Sequence, residues 1–184
     1  MLGKKVVDAD AGTYLISSRR RVLFASGRLL TTDDFQTEQE YFLTRHRLHN
    51  RYLHGWGIAS GLRVSVDGSS LHLEPGCGID CMGDELIVPE PITVPLPPQG
   101  ETVYVCLAYS ESEVDNVPAT GDSDEMIPSR VEEKVTLTFD SADPCAGHQK
   151  SCGTRHPITL ARLRRGRRGW ALDRRYRHPV CHQG

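Results

Sequence analysis

The stretch Leu53-His54-Gly55-Trp56-Gly57-Ile58, continuing into Gly61-Leu62-Arg63-Val64-Ser65-Val66-Asp67-Gly68, decides the fold class, because the apolar period changes within it. Upstream, Phe35, Phe42, His46, His49 and Leu53 fall near one helical stripe, with Tyr41, Leu48 and Tyr52 beside it. No Gly or Pro interrupts the chain from Thr31 to Leu53. Thr31-Thr32-Asp33-Asp34 supplies helix N-cap residues, and Asp33 with Gln36 fits a capping box. Gly55 stands where a helix stops, and Gly55-Trp56-Gly57 permits a sharp turn into a strand with the indole filling the corner. The spacing predicts one long amphipathic helix. Its opposite face carries Arg45, Arg47 and Arg51, either solvated or open to pairing with a neighbour.

Downstream the period is two. Leu62 to Val66 alternates, Asp67-Gly68 makes a turn, and Leu71-His72-Leu73 alternates again, which predicts a β-hairpin. Pro75-Gly76 and Met82-Gly83-Asp84 read as turns, and Ile79 and Leu86-Ile87-Val88 as further strands. Prolines around Ile92-Thr93-Val94 place it at a sheet edge. Thr102 to Tyr109 is the most apolar strand and is expected at the centre. Glu111 to Pro128 is acidic and Pro-bearing, and reads as an irregular loop. Val131 to Phe139 returns to strand alternation, and Ile158–Leu163 with Trp170–Leu172 forms a last hairpin across Arg164-Arg165-Gly166-Arg167-Arg168-Gly169. Upstream of the helix, Arg21 to Ala25 is a short strand or an extended lead-in, broken by Gly27. The expectation is a mainly β (α+β) fold, a β-sandwich or small barrel with one long N-terminal helix. Residues 1–30 form an extended arm, and 31–184 hold the helix, the β-domain and a Cys/His-rich C-terminal segment.

A length of 184 residues suits a single domain that needs no staple to fold. No apolar run approaches the ~18 residues of a membrane span. The N-terminal Met1-Leu2-Gly3-Lys4-Lys5 lacks an apolar segment behind its lysines, so cytoplasmic synthesis without a secretory signal is expected. Net charge is −2, but it is sorted along the chain: Glu111 to Asp143 is mostly acidic, whereas Lys150 to Arg177 holds ten Lys or Arg against Asp173 alone. Such a run can mark nucleic-acid binding. With only Trp170 and Tyr176 as rings, a solvated edge strand or a surface facing an acidic neighbour explains it better, and no nucleic-acid partner is expected.

Two blocks carry a resemblance. One runs from Leu29-Leu30-Thr31-Thr32-Asp33-Asp34-Phe35 to Glu40-Tyr41, then through Arg45–Ile58 to Gly61-Leu62-Arg63-Val64. The other is Leu73-Glu74-Pro75-Gly76-Cys77-Gly78-Ile79-Asp80, with Gly83 and Leu86-Ile87-Val88-Pro89 after it. Together they resemble proteins encoded with phage-tail-like contractile injection systems and the adaptor modules of phage baseplate and fibre proteins. The similarity covers roughly Val22 to Tyr109, and more weakly Ile158 to Arg177. It implies a non-enzymatic, multimeric structural part at the baseplate or fibre attachment, working beside other baseplate, tail or fibre proteins within an assembled particle that stays in the cell or leaves by lysis. The tail from Cys145 onward departs from that pattern.

Six cysteines and eight histidines are many for such a chain. Cys145, His148, Cys152 and His156 sit in one loop, and Cys181 and His182 close the sequence. Four thiolate or imidazole ligands make a structural zinc site. A cluster of this kind fits zinc, a disulfide or free thiols, and a zinc-stapled module binding a carbohydrate or protein is the alternative function. Cys77 and Cys81 are open to a local disulfide, half a metal site, or burial as small side chains; Cys106 sits in an apolar strand. His46, His49 and His54 lack an HExxH companion and suit packing. No G-x-S-x-G elbow, Walker loop or dinucleotide fingerprint occurs, and nothing pairs a nucleophile with a base, so an enzyme is not expected.

Overall fold

The computed structural model describes residues 19–120, 125–146 and 154–179. The chain divides into two units, Met1–His46 and Arg47–Gly184.

In the first unit, residues 19–31 carry no helix or strand, with a turn at Gly27, and lead into the helix α1, Thr32–His49. The cap lies two residues earlier than Asp33. Thr31 is the N-cap: its hydroxyl accepts the Asp34 N–H at 3.4 Å, and Asp34 Oδ2 accepts the Thr31 N–H at 3.0 Å. This is the reciprocal capping box, with Asp in place of Glu at the third helical position. Those bonds, the Thr31 N–H first, hold the Asp34 carboxyl below the usual carboxylate range, and Arg28 adds an ion pair. The expected amphipathic packing is not seen among the described residues. No residue of α1 is buried, and Phe35, Phe42 and Leu43 stand exposed at 57%, 60% and 46%.

The second unit begins in the last turn of α1, which widens into a π-helical turn, Asn50–His54, before Gly55 ends it at φ 74°. Ten strands follow: β1 Gly57–Gly61, β2 Val64–Asp67, β3 Ser70–Leu73, β4 Gly76–Ile79, β5 Glu85–Val88, β6 Ile92–Pro95, β7 Thr102–Pro118, β8 Met126–Asp140, β9 Ile158–Gly166 and β10 Gly169–Leu172. Among the described residues they form three sheets ordered β1-β4-β5, β2-β3-β6 and β10-β9-β7-β8, a mainly β fold with a curled half-barrel sheet. As expected, β2 and β3 make a hairpin, β6 is an edge strand, β7 is central, and β9 and β10 pair across the Arg-rich turn.

One core joins the sheets. Leu71 and Leu73 of β3, Leu86 of β5, Val105 and Leu107 of β7, and Ile158 and Leu163 of β9 are at most 1% exposed. On β3 and β7 they sit two apart, as period-two strands facing an interior require, while the register slip of β9 against β7 between Thr159 and Ala161 lets Ile158 and Leu163, five apart, both be buried. Gly76 was expected in a turn but opens β4 opposite Gly61. The two backbones run so close there that a Cβ on either would overlap the other strand's carbonyl oxygen.

The largest departure is Glu111 to Pro128. In place of a loop, β7 runs on to Pro118 and pairs with β8 from Pro118↔Met126 downward, with residues 121–124 outside the described set. From Ser110 outward this two-stranded ribbon leaves the core, so both faces are solvated and its acidic residues meet no burial cost. Asp115, at φ 56°, and Ser129 opposite it drop out of the ladder without shifting its register, and the Ser129 hydroxyl donates to the Asp115 carbonyl at 2.5 Å.

Gly83 shows how tightly the second unit closes. It holds φ 93°, and a Cβ there would collide with the Arg47 carbonyl. Gly83→Ala is expected to lower stability by about 2–3 kcal/mol in urea denaturation, while Gly68→Ala, with a positive φ but open space, costs about 1 kcal/mol. Equal effects would show that backbone conformation alone, and not the approach of Arg47, dictates glycine at position 83.

Candidate functional site

The densest charge in the second unit gathers where β4 turns into β5. Asp80 Oδ1 accepts the backbone N–H groups of Met82 at 2.8 Å and Asp84 at 2.9 Å, and Gly83 N–H bonds the Asp80 carbonyl at 3.1 Å. This tight turn buries both carboxyl groups, leaving Asp80 1% and Asp84 5% exposed. Buried charge must be matched by opposite charge. Two guanidiniums do so. Arg47 Nε lies 2.5 Å from Asp84 Oδ1 and its Nη2 2.7 Å from Glu111 Oε1. Arg155 pairs through Nη2 with Asp84 Oδ2, and its Nε lies 3.2 Å from Asp80 Oδ2. That last contact is electrostatic only, because Asp80 Oδ2 completes no hydrogen bond.

Around these pairs the neutral groups lock in. The Arg155 guanidinium lies over the Tyr109 ring, 4.7 Å from its centroid, and the Tyr109 hydroxyl donates to Glu111 at 2.9 Å. Asn50 Nδ2 donates to the Gly83 carbonyl at 3.0 Å. The electrostatics follow. Burial raises the Asp80 carboxyl above its ordinary range, and the Asp84 charge pushes the same way against the pull of the turn's N–H groups and Arg155. The Tyr109 hydroxyl bond, with Arg47 behind it, lowers Glu111, while burial raises Tyr109 itself. Against its own burial, Arg47 is held charged by Asp84 and Glu111. Ion-pair networks perturb titration without implying catalysis. Here the acidic groups face guanidiniums or turn amides, and the arrangement fastens four chain segments: residues 47–50, the β4–β5 turn, β7 and the segment leading to β9.

The sequence singled out Arg47 for its helix face, and the structure pairs it with Asp84 and Glu111 of the same chain. Arg45 bonds the Tyr41 hydroxyl at 3.0 Å. Trp56 fills the corner as expected, packing on the core and edge-on to His156 at 4.9 Å. His49 and His54 contact each other at 5.3 Å between ring centroids.

Of the Cys/His set, Cys145 and His156 come together, with Sγ and Nδ1 4.0 Å apart. The Pro157 carbonyl accepts from both, from His156 Nδ1 at 2.8 Å and from Cys145 Sγ at 3.4 Å. Beside them Asp143 accepts the Thr159 hydroxyl at 2.7 Å and the Tyr176 hydroxyl at 2.8 Å. The Ile58 N–H donates to the Pro179 carbonyl at 2.9 Å, which brings the chain near its end to β1 and the Trp56 corner. His148, Cys152, Cys181 and His182 lie outside the described residues, within which no three metal-type side chains gather. Among the described residues no disulfide joins Cys77 or Cys106 to another cysteine. Cys81 is buried with its thiol toward the Thr154 carbonyl, and Cys106 is fully buried, its thiol pushed up by desolvation.

Neither a protein-family model nor a curated protein matches the sequence. Solved structures do. A chain of the type VI secretion system TssK-TssF-TssG baseplate subcomplex, seen by cryo-electron microscopy, is similar over 89% of this chain at a TM-score of 0.53 and 16% identity. A chain of the type VI secretion system baseplate complex matches over 89% at 0.52 and 17%, and the crystal structure of TssK over 88% at 0.51 and 16%. At such identity the likeness is one of fold. The chain spans 62%, 60% and 42% of those three chains' own lengths.

Proposed function

We propose that this chain is a non-enzymatic structural subunit of a contractile injection system or phage-like tail, at the baseplate or the fibre attachment. It works beside other baseplate or fibre proteins, as part of an assembled particle and without nucleic acid. The observation carrying this reading is the fold it shares, over nearly nine-tenths of its length, with chains of type VI secretion baseplates. Two features of the molecule support it. The densest charged site is spent on internal fastening, which suits a scaffold. Conversely, among the described residues Phe35, Phe42 and Leu43 on α1, with Leu23, Phe24 and Leu29 before it, are exposed. Exposed apolar side chains gathered this way are the usual mark of a surface that meets another protein.

Deleting the gene should leave particles absent, or lacking baseplate or fibre density, under the electron microscope. A Phe35→Ser/Phe42→Ser variant should melt within about 2 °C of wild type, because neither ring is buried, yet fail to enter particles. Intact, fully decorated particles from the deletion strain overturn the reading.

A zinc staple is the second reading, favoured by the approach of Cys145 to His156, and it serves equally a module that binds a carbohydrate or protein. Thiolate and imidazole ligands on one tetrahedral zinc lie about 3.5 Å apart, so 4.0 Å needs a shift of a few tenths of an ångström. The His156 ring must give up its bond to Pro157 or bind through Nε2. The ligands are Cys145, Cys152 and two of His148, His156, Cys181 and His182. Such a site contributes on the order of 10 kcal/mol at neutral pH. Elemental analysis of untagged protein should find about one zinc per chain, lost in Cys145→Ser with a fall in melting temperature. Metal well below one equivalent, with the variant melting like wild type, overturns this reading.

A further inference from the structure

The four-stranded sheet is electrically polar from end to end. Its register fixes the geometry: Thr102 of β7 pairs with Arg164 of β9, so the β9–β10 turn lies just beyond the start of β7, while the β7–β8 ribbon lies at the far end of the same strand. Seventeen residues of strand separate the ends by about 50 Å. At the ribbon end, beyond the Glu111 that Arg47 holds, Glu113, Asp115, Glu125, Glu132 and Glu133 share the β7–β8 ribbon with two cations, Arg130 on Asp115 at 2.7 Å and Lys134 on Glu132 at 2.9 Å. Glu113, Glu125 and Glu133 are exposed. At the turn end, Arg164, Arg165, Arg167 and Arg168 have no acid between Ile158 and Leu172. Asp173 engages Arg162 at 2.7 Å and Arg164 at 2.8 Å. Arg167 and Arg168 point their charge to solvent, and Arg165 lies over the Trp170 ring at 5.8 Å. Trp170 and the turn frame an open hollow of about 490 Å³.

Opposite charges at opposite ends of one rigid strand cannot neutralise each other within a chain, but two copies arranged head to tail can. We propose that the acidic β7–β8 ribbon of one copy docks on the arginine turn and Trp170 hollow of the next. Exposed ion pairs alone contribute little. The ribbon tip supplies apolar area as well: Val117 and Ile127 pair across the strands at 42% exposure each, with Met126 beside them at 53%. The apolar tip gives the contact its strength, and the charges fix its direction. A head-to-tail contact of this kind closes into a ring or runs on as a filament. The proposal does not rest on the baseplate reading, since the isolated chain should self-associate either way.

Sedimentation velocity on the full chain, freed of nucleic acid as judged by absorbance, tests it with the chain as its own ligand. Wild type should associate with rising concentration at about 50 mM salt and weaken at least ~10-fold at about 0.5 M, where screening acts within ~4 Å. A turn variant, R165E/R167E/R168E, and a ribbon variant, E113K/E125K/E133K, should each be monomeric alone, and an equimolar mixture should associate again. Ile127→Ser should weaken association without changing its salt dependence. Recovery on mixing also excludes misfolding of the variants. Three results overturn the proposal: wild type monomeric throughout, association that the variants leave unchanged or that mixing fails to restore, or association only when nucleic acid is present.

Discussion

Asp84 takes two guanidiniums at once, one on each carboxylate oxygen, and the second unit is organised around that fact. Arg47 and Arg155 come from positions more than a hundred residues apart in the sequence, and the acid between them sits in a turn that admits only glycine where Arg47 passes. Neither arginine can be neutralised elsewhere without leaving a buried carboxylate bare, and a bare buried charge costs more than a lost surface pair. The pairing therefore specifies which segments meet: residues 47–50, the β4–β5 turn, Tyr109 and Glu111 on β7, and the approach to β9. The apolar core supplies most of the cohesion, as burial does in any domain of this size. The charged junction supplies the register.

Much of the fold was legible in the sequence because it rests on local signals. The Asp67-Gly68 hairpin, the proline-flanked edge strand at Ile92 and the apolar run from Thr102 follow from turn chemistry and period-two burial. The β7–β8 ribbon was not, for a physical reason. A strand outside the core buries neither face, so it needs no apolar alternation, and its acidic composition looks like a loop until the cross-strand register is seen. The helix shows the converse. Its stripe of Phe35, Phe42 and neighbours predicted burial, yet Phe35, Phe42 and Leu53 are exposed among the described residues. A periodic apolar pattern reports that something will cover a face, and does not say whether the cover belongs to the same chain.

The candidate site was harder to read. Arg47 stood out, but nothing local marks Asp84 or Arg155 as its company, because ion pairs between distant segments leave no spacing in the sequence. The one available signal was Asp80 and Asp84 bracketing Gly83: two acids in a tight turn between strands demand cations from elsewhere. The Cys/His set had the opposite character. Its spacing was visible at once, and the structure brings Cys145 beside His156 while the chain near Pro179 bonds back to β1.

That the charged junction sets the register is tested most directly by a double-mutant cycle on Arg155 and Asp84. Arg155→Gln, Asp84→Asn and the double variant are compared with wild type by urea denaturation. Both arginine side chains are about a third exposed, at 32% and 37%, so solvent screens the pair and the coupling is expected near 1 kcal/mol, not several. Each single variant should also lose more than the double variant's additive share, because it leaves a charge unmatched. A coupling energy below about 0.3 kcal/mol, with single-variant losses that simply add, would contradict the account and leave the apolar core as the sole determinant of the register.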